Sequence, residues 1–424
     1  MGVQATRSLF RRLALISRSG PRSSLLAVLT SACTASLLAF APSPLEAQTT
    51  SVPFEFEDSR IFVPVSVNST TPRWFILDSG AYPTILDANV AAALRLTVAD
   101  AGTTTGAGRN SLRQGRARGV SLRVGSVALG PMDVVIGEMD SLLGPSQGRG
   151  APGIIGSRFF IEHVVELDFG AGVMHVHDPK RWQYNGTGVV LPIKVGSGVP
   201  MLDGQLTAAD GTVVPIRLLV DLGAKSTLLL AEPFIDANNL GPHFPRAVVS
   251  PLGAGVGGPT RYAFVRAPRL ALGAGGAGLT VDSLLVGLSV GGTIRQSAFD
   301  GLLGAEFLRG YRVIFDYRHE RLILEPRTPP VPPADFDMSG MFVLAEGPDR
   351  RTLVIRDVVE GGPAEAAGLL VGDTIVAIAG RAAAELRLSS VRQMLRAGDG
   401  REVAVEISRG GARRNVTVRL RRQV

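Results

Sequence analysis

The chain has 424 residues, of which 51 are glycine and 27 proline, with 6% aromatic and 19% charged residues. That composition fits two or three turn-rich β domains and argues against a helical protein. Five arginines and one glutamate in residues 1–47 account for +4 of the formal charge of +7, so the remaining +3 is a nearly balanced surface. Nucleic-acid binding needs a concentrated basic face, and the C-terminal arginines (Arg413, Arg414, Arg419, Arg421, Arg422) read as a solvated strand face. The single cysteine, Cys33, falls in the leader, which excludes a disulfide or a thiolate metal site.

In chain order, arginines precede an uncharged run, Ser23 to Leu45, with small residues at Ala39-Phe-Ala41 and at Ala47. Residues 1–47 therefore read as a signal peptide of a bacterial kind. A membrane-spanning segment wants about 20 predominantly apolar residues, and this run is broken by Ser, Thr and two prolines. The expectation is an exported protein, periplasmic or secreted, which meets a membrane only through this segment if it stays uncleaved.

From about Val52 the hydrophobic period becomes two. Arg60-Ile-Phe-Val-Pro-Val-Ser-Val67 alternates, a polar turn follows at Asn68–Pro72, and Trp74-Phe-Ile-Leu-Asp-Ser-Gly-Ala81 runs apolar into an aspartate, the pattern of a hairpin. A helix-like patch at Asp87–Leu94 follows, then the glycine-bearing loop Thr103-Thr-Thr-Gly-Ala-Gly108. Alternating strands come next at Val120–Val124 and Met132–Ile136. Gly153-Ile-Ile-Gly-Ser-Arg-Phe-Phe160 and the hairpin Val164–His177 close the unit.

Residues 189–326 repeat the same order. Leu218-Leu-Val-Asp-Leu-Gly-Ala224 answers the first aspartate strand 143 positions later. The loop Gly253-Ala-Gly-Val-Gly-Gly258, the segment Gly301-Leu-Leu-Gly-Ala-Glu-Phe-Leu308 and the hairpin Arg312–Leu324 answer the other landmarks. The separations Asp78 to Gly156 and Asp221 to Gly304 are 78 and 83 residues. Four landmarks in one order at nearly equal spacing are an internal repeat. A single Asp-x-Gly is ordinarily a turn with a capping aspartate; repeated in register, the two predict carboxylates facing each other across a pseudo-twofold axis.

Thr328-Pro-Pro-Val-Pro-Pro333 is a stiff, extended stretch within a linker placed at 329–338. Residues 339–424 form a third unit, with Gly362-Pro-Ala-Glu-Ala-Ala-Gly-Leu369, Gly372-Asp-Thr-Ile375, a helix near Ser389–Leu395 and two final strands. His175-Val-His177 puts two imidazoles on one face of a strand. Without a third ligand they read as exposed hairpin residues. No Gly-x-Ser-x-Gly elbow, phosphate loop or dinucleotide fingerprint is present.

The paired Asp-x-Gly units, each with its apolar-apolar-Gly segment (Ile154-Ile155-Gly156 and Leu302-Leu303-Gly304), resemble the pepsin-like and retropepsin-like aspartic peptidases over about 52–328. The C-terminal unit resembles a PDZ domain of the bacterial protease-associated type. The resemblance implies a mainly β chain: a lobe over 52–188, a second over 189–328, both retropepsin-like β-barrels related by a pseudo-twofold axis, and a PDZ domain over 339–424. It implies Asp78 and Asp221 as the catalytic dyad, supported by Ser79, Gly80, Gly223, Ala224, Gly156 and Gly304. It implies flaps at Gly106 and Gly108 or at Gly255 and Gly257, and a peptide-carboxylate loop at Gly340, Met341 and Phe342. Neither a cofactor nor a metal is implied. The expected partners are a peptide or protein substrate and a peptide on the PDZ unit, and not nucleic acid. The second motif departs from the family pattern, because Leu222 stands where a hydroxyl residue would tie the lobes together. The implied activity is therefore an aspartic endopeptidase, with a weakened pseudo-protease acting as a peptide-binding scaffold as the alternative. A secreted structural protein would have no reason to keep both aspartates.

Overall fold

The computed structural model describes residues 49–424, apart from 109, 274–277, 292 and 297. The leader expected over 1–47, with Cys33, lies outside them. Two eight-stranded sheets carry the repeat. In the first the spatial order is Glu55–Glu57, Arg60–Val67, Arg73–Leu77, Gly153–Ile155, Ile85–Asp87, Val127–Gly137, Leu112–Val124, Ala99–Thr104. In the second it is Lys194–Gly196, Val199–Thr207, Val213–Asp221, Gly301–Gly304, Leu228–Leu230, Thr280–Ser289, Gly258–Leu272, Val248–Gly255. Strand for strand, the two orders are the same. Each sheet also curls onto itself, through Val65 opposite Val124 in the first and Gly204 opposite Leu272 in the second. This extra pairing closes the inner strands on themselves and leaves the end strands of each order paired on one side only.

The aspartate strands are buried because they run through the middle of each sheet. Phe75, Ile76 and Leu77, like Leu218, Leu219 and Val220, are all buried, as near-continuous apolar runs predict. Each is flanked by a parallel partner: Leu77 lies opposite Ile155 and Val220 opposite Leu303. The short helix Ala88–Ala93 forms within the expected patch, with Asp87 as its N-cap accepting the Asn89 N–H, which satisfies a donor that the first turn leaves orphaned.

The closing hairpins of the two halves do not stay within their own lobes. They join in a shared six-stranded sheet ordered Thr50–Pro53, Val173–His177, Val164–Asp168, Tyr311–Asp316, Arg321–Pro326, Val189–Pro192. Its central pair is antiparallel, with Glu166 opposite Ile314 and Leu167 opposite Val313, three strands coming from each half. His177 corrects the expectation of exposed imidazoles. It is buried, with Nδ1 3.0 Å from Thr49 Oγ1 and Nε2 3.2 Å from Glu166 Oε2. Trp182 packs against its ring, with centroids 5.6 Å apart, whereas His175 on the same strand stays half-exposed.

The C-terminal sheet runs Met341–Glu346, Thr352–Val358, Thr374–Ile378, Glu402–Arg409, Ala412–Arg419, around a core that includes Ile355, Ile375, Val391 and Ile407. Its edge strand, Met341–Glu346, packs against helix Met139–Gln147 of the first lobe. Arg350 fastens that contact, donating to the Asp140 carbonyl at 3.1 Å and carboxylate at 3.0 Å.

Gly304 shows how tightly the halves are threaded. A Cβ there would lie 2.8 Å from the Ala224 carbonyl oxygen and closer still to that of Ser226, both rigid backbone. Gly304→Ala is expected to destabilise the protein by about 1–3 kcal/mol, the usual cost of overpacking. Denaturant unfolding of the variant checks this, and an unchanged midpoint would contradict it.

Candidate active site

Both aspartate loops are built by the same local rules. Asp78 ends its strand with its backbone N–H bonded to the Ile155 carbonyl at 2.9 Å. Its Oδ1 then accepts the N–H groups of Gly80 at 2.8 Å and Ala81 at 3.0 Å. Asp221 Oδ1 accepts those of Gly223 at 2.8 Å and Ala224 at 3.2 Å. The carbonyls of the two alanines are used equivalently, by Ser157 N–H at 2.7 Å and Ala305 N–H at 2.9 Å. Glycine is needed beside each aspartate because the opposite carboxylate fills the space of a side chain. A Cβ on Gly80 would meet Asp221 Cγ at 2.6 Å, and one on Gly223 would meet Asp78 Cγ at 2.5 Å. Gly156 admits no side chain either, since the Ala81 carbonyl oxygen would lie 2.7 Å from its Cβ.

The two carboxyl groups hydrogen-bond each other. Burial raises Asp78 above the usual carboxyl range, opposed by the Asp221 hydrogen bond, the Gly80 and Ala81 N–H groups and the nearby Arg60 charge. Burial and then the Asp78 charge raise Asp221 further. Two acids in one desolvated place cannot both ionise cheaply, so the pair holds one proton and titrates as a unit.

Ser79, fully buried, ties the lobes from one side: its hydroxyl donates to the Val220 carbonyl at 2.7 Å and accepts the Leu222 N–H at 3.0 Å. Leu222 returns no such bond. It is fully buried in the main apolar core, which also holds Phe159, Phe160, Phe315 and Tyr317. Sequence reasoning did not find Tyr317. Its ring stacks on Phe160 at 5.7 Å, its hydroxyl donates to the Ser79 carbonyl at 3.5 Å, and burial, with the negative charge of the Asp78–Asp221 pair, raises its phenol well above the ordinary value. The available signal was the repeat itself, since Phe315-Asp-Tyr317 answers Leu167-Asp-Phe169.

The four glycines expected as flaps come together, and two of them, Gly106 and Gly255, lie on the wall of the cavity that holds Asp78 and Asp221. Strands Val248–Gly255 and Gly258–Leu272 are joined by a two-residue turn, Val256-Gly257. Gly257 and Gly258 adopt φ of +99° and +112° there, conformations that favour glycine. The loop from the first lobe reaches the same place: Gly108 N–H donates to Val256 O at 2.8 Å and Asn110 N–H to Gly257 O at 2.9 Å. Gly106 abuts Val256, and Gly255 abuts Ala107. Beneath this roof is a cavity of about 330 Å³ whose walls include Asp78, Asp221, Ile76, Ile154 and Leu302.

The loop at Gly340, Met341 and Phe342 lies elsewhere, and the N–H groups of Gly340 and Met341 are already engaged. The Asp337 carboxylate accepts the N–H groups of Ser339 and Gly340, each at 2.8 Å, and Ser339 Oγ accepts that of Met341 at 3.0 Å. Phe342, half-buried, faces a smaller cavity shared with the second lobe.

Two protein families match parts of the chain: aspartyl protease over residues 63–159 and PDZ domain over 354–409. Among curated proteins none matches. Among solved structures the aspartic proteinase from Irpex lacteus aligns with 66% of this chain and 98% of its own, at 15% identity and a TM-score of 0.42. The chain is mainly β, and what it shares with known families is a segment of the first lobe similar to aspartyl proteases and a segment of the C-terminal unit similar to PDZ domains.

The raised dyad has a stability consequence. A carboxyl held above its unfolded value of about 3.9 binds its proton more tightly when folded, so it opposes folding once the pH exceeds that value. Asp221→Asn removes this penalty while keeping the acceptor for Gly223 and Ala224. Its thermal midpoint should exceed the parent's at pH 7, and the gain should shrink as the pH falls toward about 4. Equal midpoints at pH 7 would show that the desolvation cost is absent.

Proposed function

We propose that the chain is an aspartic-type endopeptidase and that Asp78 and Asp221 carry the reaction. The carrying observation is the pair of equivalent carboxyls, hydrogen-bonded to each other under a roof made by both lobes. One shared proton suits peptide hydrolysis: the ionised carboxylate takes a proton from water as its oxygen attacks the peptide carbonyl carbon. The protonated partner donates to the carbonyl oxygen as its charge develops. Collapse of the tetrahedral intermediate breaks the C–N bond, and the amine leaves with a proton from the pair. The substrate is an extended peptide between dyad and flaps, with apolar residues near the cleaved bond to match Ile76, Ile154 and Leu302. The flap tips are bonded to each other, so entry requires those bonds to open. The proposal includes export, on the leader reading of residues 1–47.

Leu222 favours a second reading, a peptide-binding protein with weakened catalysis. The two diverge on turnover. The full chain incubated with a mixed peptide library between pH 4 and 7 should cleave, and Asp78→Asn or Asp221→Asn should each lower kcat/KM by about 10² to 10⁴, the worth of a general acid or base. Binding of library peptides without cleavage by the parent chain would favour the second reading.

For the PDZ unit the geometry favours packing in cis over capture of a free peptide terminus. Arg392 of helix Leu388–Met394 is largely buried; it pairs with Asp58, donates to Ser146 O at 2.8 Å, and donates to the edge-strand carbonyl of Val343 at 3.1 Å. Added peptides would need that edge strand. Arg392→Ala should therefore loosen the contact by about 1–3 kcal/mol, read as faster proteolysis within residues 329–338. An unchanged cleavage rate there would remove this role.

A further inference from the structure

The cavity wall holds a charge that the dyad chemistry does not use. Arg60, first residue of its strand, lines the cavity and is more than nine-tenths buried. Its Nη1 donates to the neutral amide oxygen of Gln147 at 3.0 Å, while its Nε is buried without an acceptor. No carboxylate among the described residues lies within ion-pair distance of it. The nearest negative charges are Asp58 and the dyad, which act on it only at longer range. An arginine cannot shed its proton in a protein, so this cation stays charged in a wall that also contains Ile76, Leu143 and Ile154.

Asp58 does not relieve the imbalance, because it is already claimed twice. Lys225, four residues after Asp221 and also on the cavity wall, is ion-paired with it, and so is Arg392. Three buried cations thus surround one buried carboxylate. The crowding is visible in Lys225, which burial and the charges of Arg392 and Arg60 push down to about 7 against the pull of Asp58. The dyad shares one proton, and its inner oxygens are occupied by the Gly80, Ala81, Gly223 and Ala224 N–H groups. A buried charge without a partner is costly, and a group entering the cavity with a negative charge would relieve it.

We propose that Arg60 receives a carboxylate of the substrate, so that the peptide is selected for an acidic group near an otherwise apolar cleavage site. This rests on the peptidase reading and adds to it a substrate class and a specificity-determining residue. The carboxylate is either an acidic side chain or the terminus of the peptide. Lys225 supports the site as a second cation.

The test uses the full chain and amidated peptides in which Glu and Gln are exchanged at each position around a cleaved bond. A parallel arm compares free-acid with amidated ends. At one position kcat/KM for Glu should exceed that for Gln by roughly tenfold to a hundredfold, the worth of a charge-assisted hydrogen bond. If the advantage lies in the free-acid arm instead, the carboxylate is terminal. Arg60→Met, similar in volume and uncharged, should bring the ratio to about one, and Arg60→Lys should restore part of it. A purely structural role would lower both peptides together and leave the ratio intact. The preference should also fade below about pH 4.3, where the glutamate side chain takes up its proton. Should Arg60→Met fail to fold, Arg60→Lys and the pH profile still decide. Calorimetric binding of the Glu and Gln peptides to Asp78→Asn separates the two readings. No turnover by the parent with any peptide would sink the peptidase reading, yet a Glu preference in binding would still support the acid site. A ratio near one at every position and at both ends in the parent, or a preference retained in Arg60→Met, overturns it.

Discussion

Two carboxyl groups that repel each other are held in one desolvated place, and much of the chain's architecture is what that demands. Each acid keeps one oxygen on a pair of backbone N–H groups and turns the other part of itself toward its partner. Backbone donors cannot rotate away or ionise, so the repulsion cannot be relieved by a change of rotamer. The glycines follow from the same demand. Gly80 and Gly223 are small because the opposite carboxylate occupies their side-chain space, and Gly156 and Gly304 because the loop carbonyls do. The shared six-stranded sheet then fixes the lobes, since its central strands come one from each half. Such strain costs stability by design, as active sites do generally.

The two sides of the dyad solve one problem differently. A buried donor or acceptor left alone is expensive, whereas removing both partners in favour of apolar groups is nearly neutral. On the first side Ser79 satisfies the Val220 carbonyl and the Leu222 N–H together. On the second there is no reciprocal hydroxyl, and Leu222 puts apolar volume there, buried in the core that also holds Phe160 and Phe315. What polarity remains there is served by Tyr317, whose hydroxyl reaches the Ser79 carbonyl. The pseudo-symmetry of the backbone therefore survives while that of the side chains does not.

This division also explains what was legible in the sequence. The repeat, the aspartate strands and the glycine landmarks could be read because backbone threading imposes residue type at fixed spacing: only glycine fits at Gly156 and Gly304, and only apolar residues fit a strand covered on both faces. The groups that modulate the site could not be read that way. Arg60 looks like any charged residue at a hairpin turn, and its burial depends on Gln147, 87 positions away. Tyr317 reads as one more aromatic at a strand end. The glycines of the two flaps were visible singly, but their meeting is a contact between Gly108 and Val256 in different lobes. The loop at Gly340 has the right glycine for a carboxylate cradle, yet Asp337, three residues earlier, already supplies the carboxylate.

The ion cluster around Asp58 is the least local of these features, and its energetics bear on how the three units act together. Asp58 sits in the two-residue hairpin turn Asp58-Ser59, with both residues at positive φ, so the carboxylate projects from a short and stiff tip. It meets Lys225 from the second aspartate loop and Arg392 from the C-terminal helix, partners 167 and 334 positions away. A surface ion pair contributes little, but these side chains are largely buried, where losing one member leaves another charge uncompensated. Moving the C-terminal helix would thus change the charge felt by Lys225, and through it the charge on the wall of the dyad cavity. Linkage makes such a coupling reciprocal. Asp58 therefore ties the C-terminal helix and the wall of the dyad cavity into one buried ion cluster, although neither the dyad nor the flaps contain it.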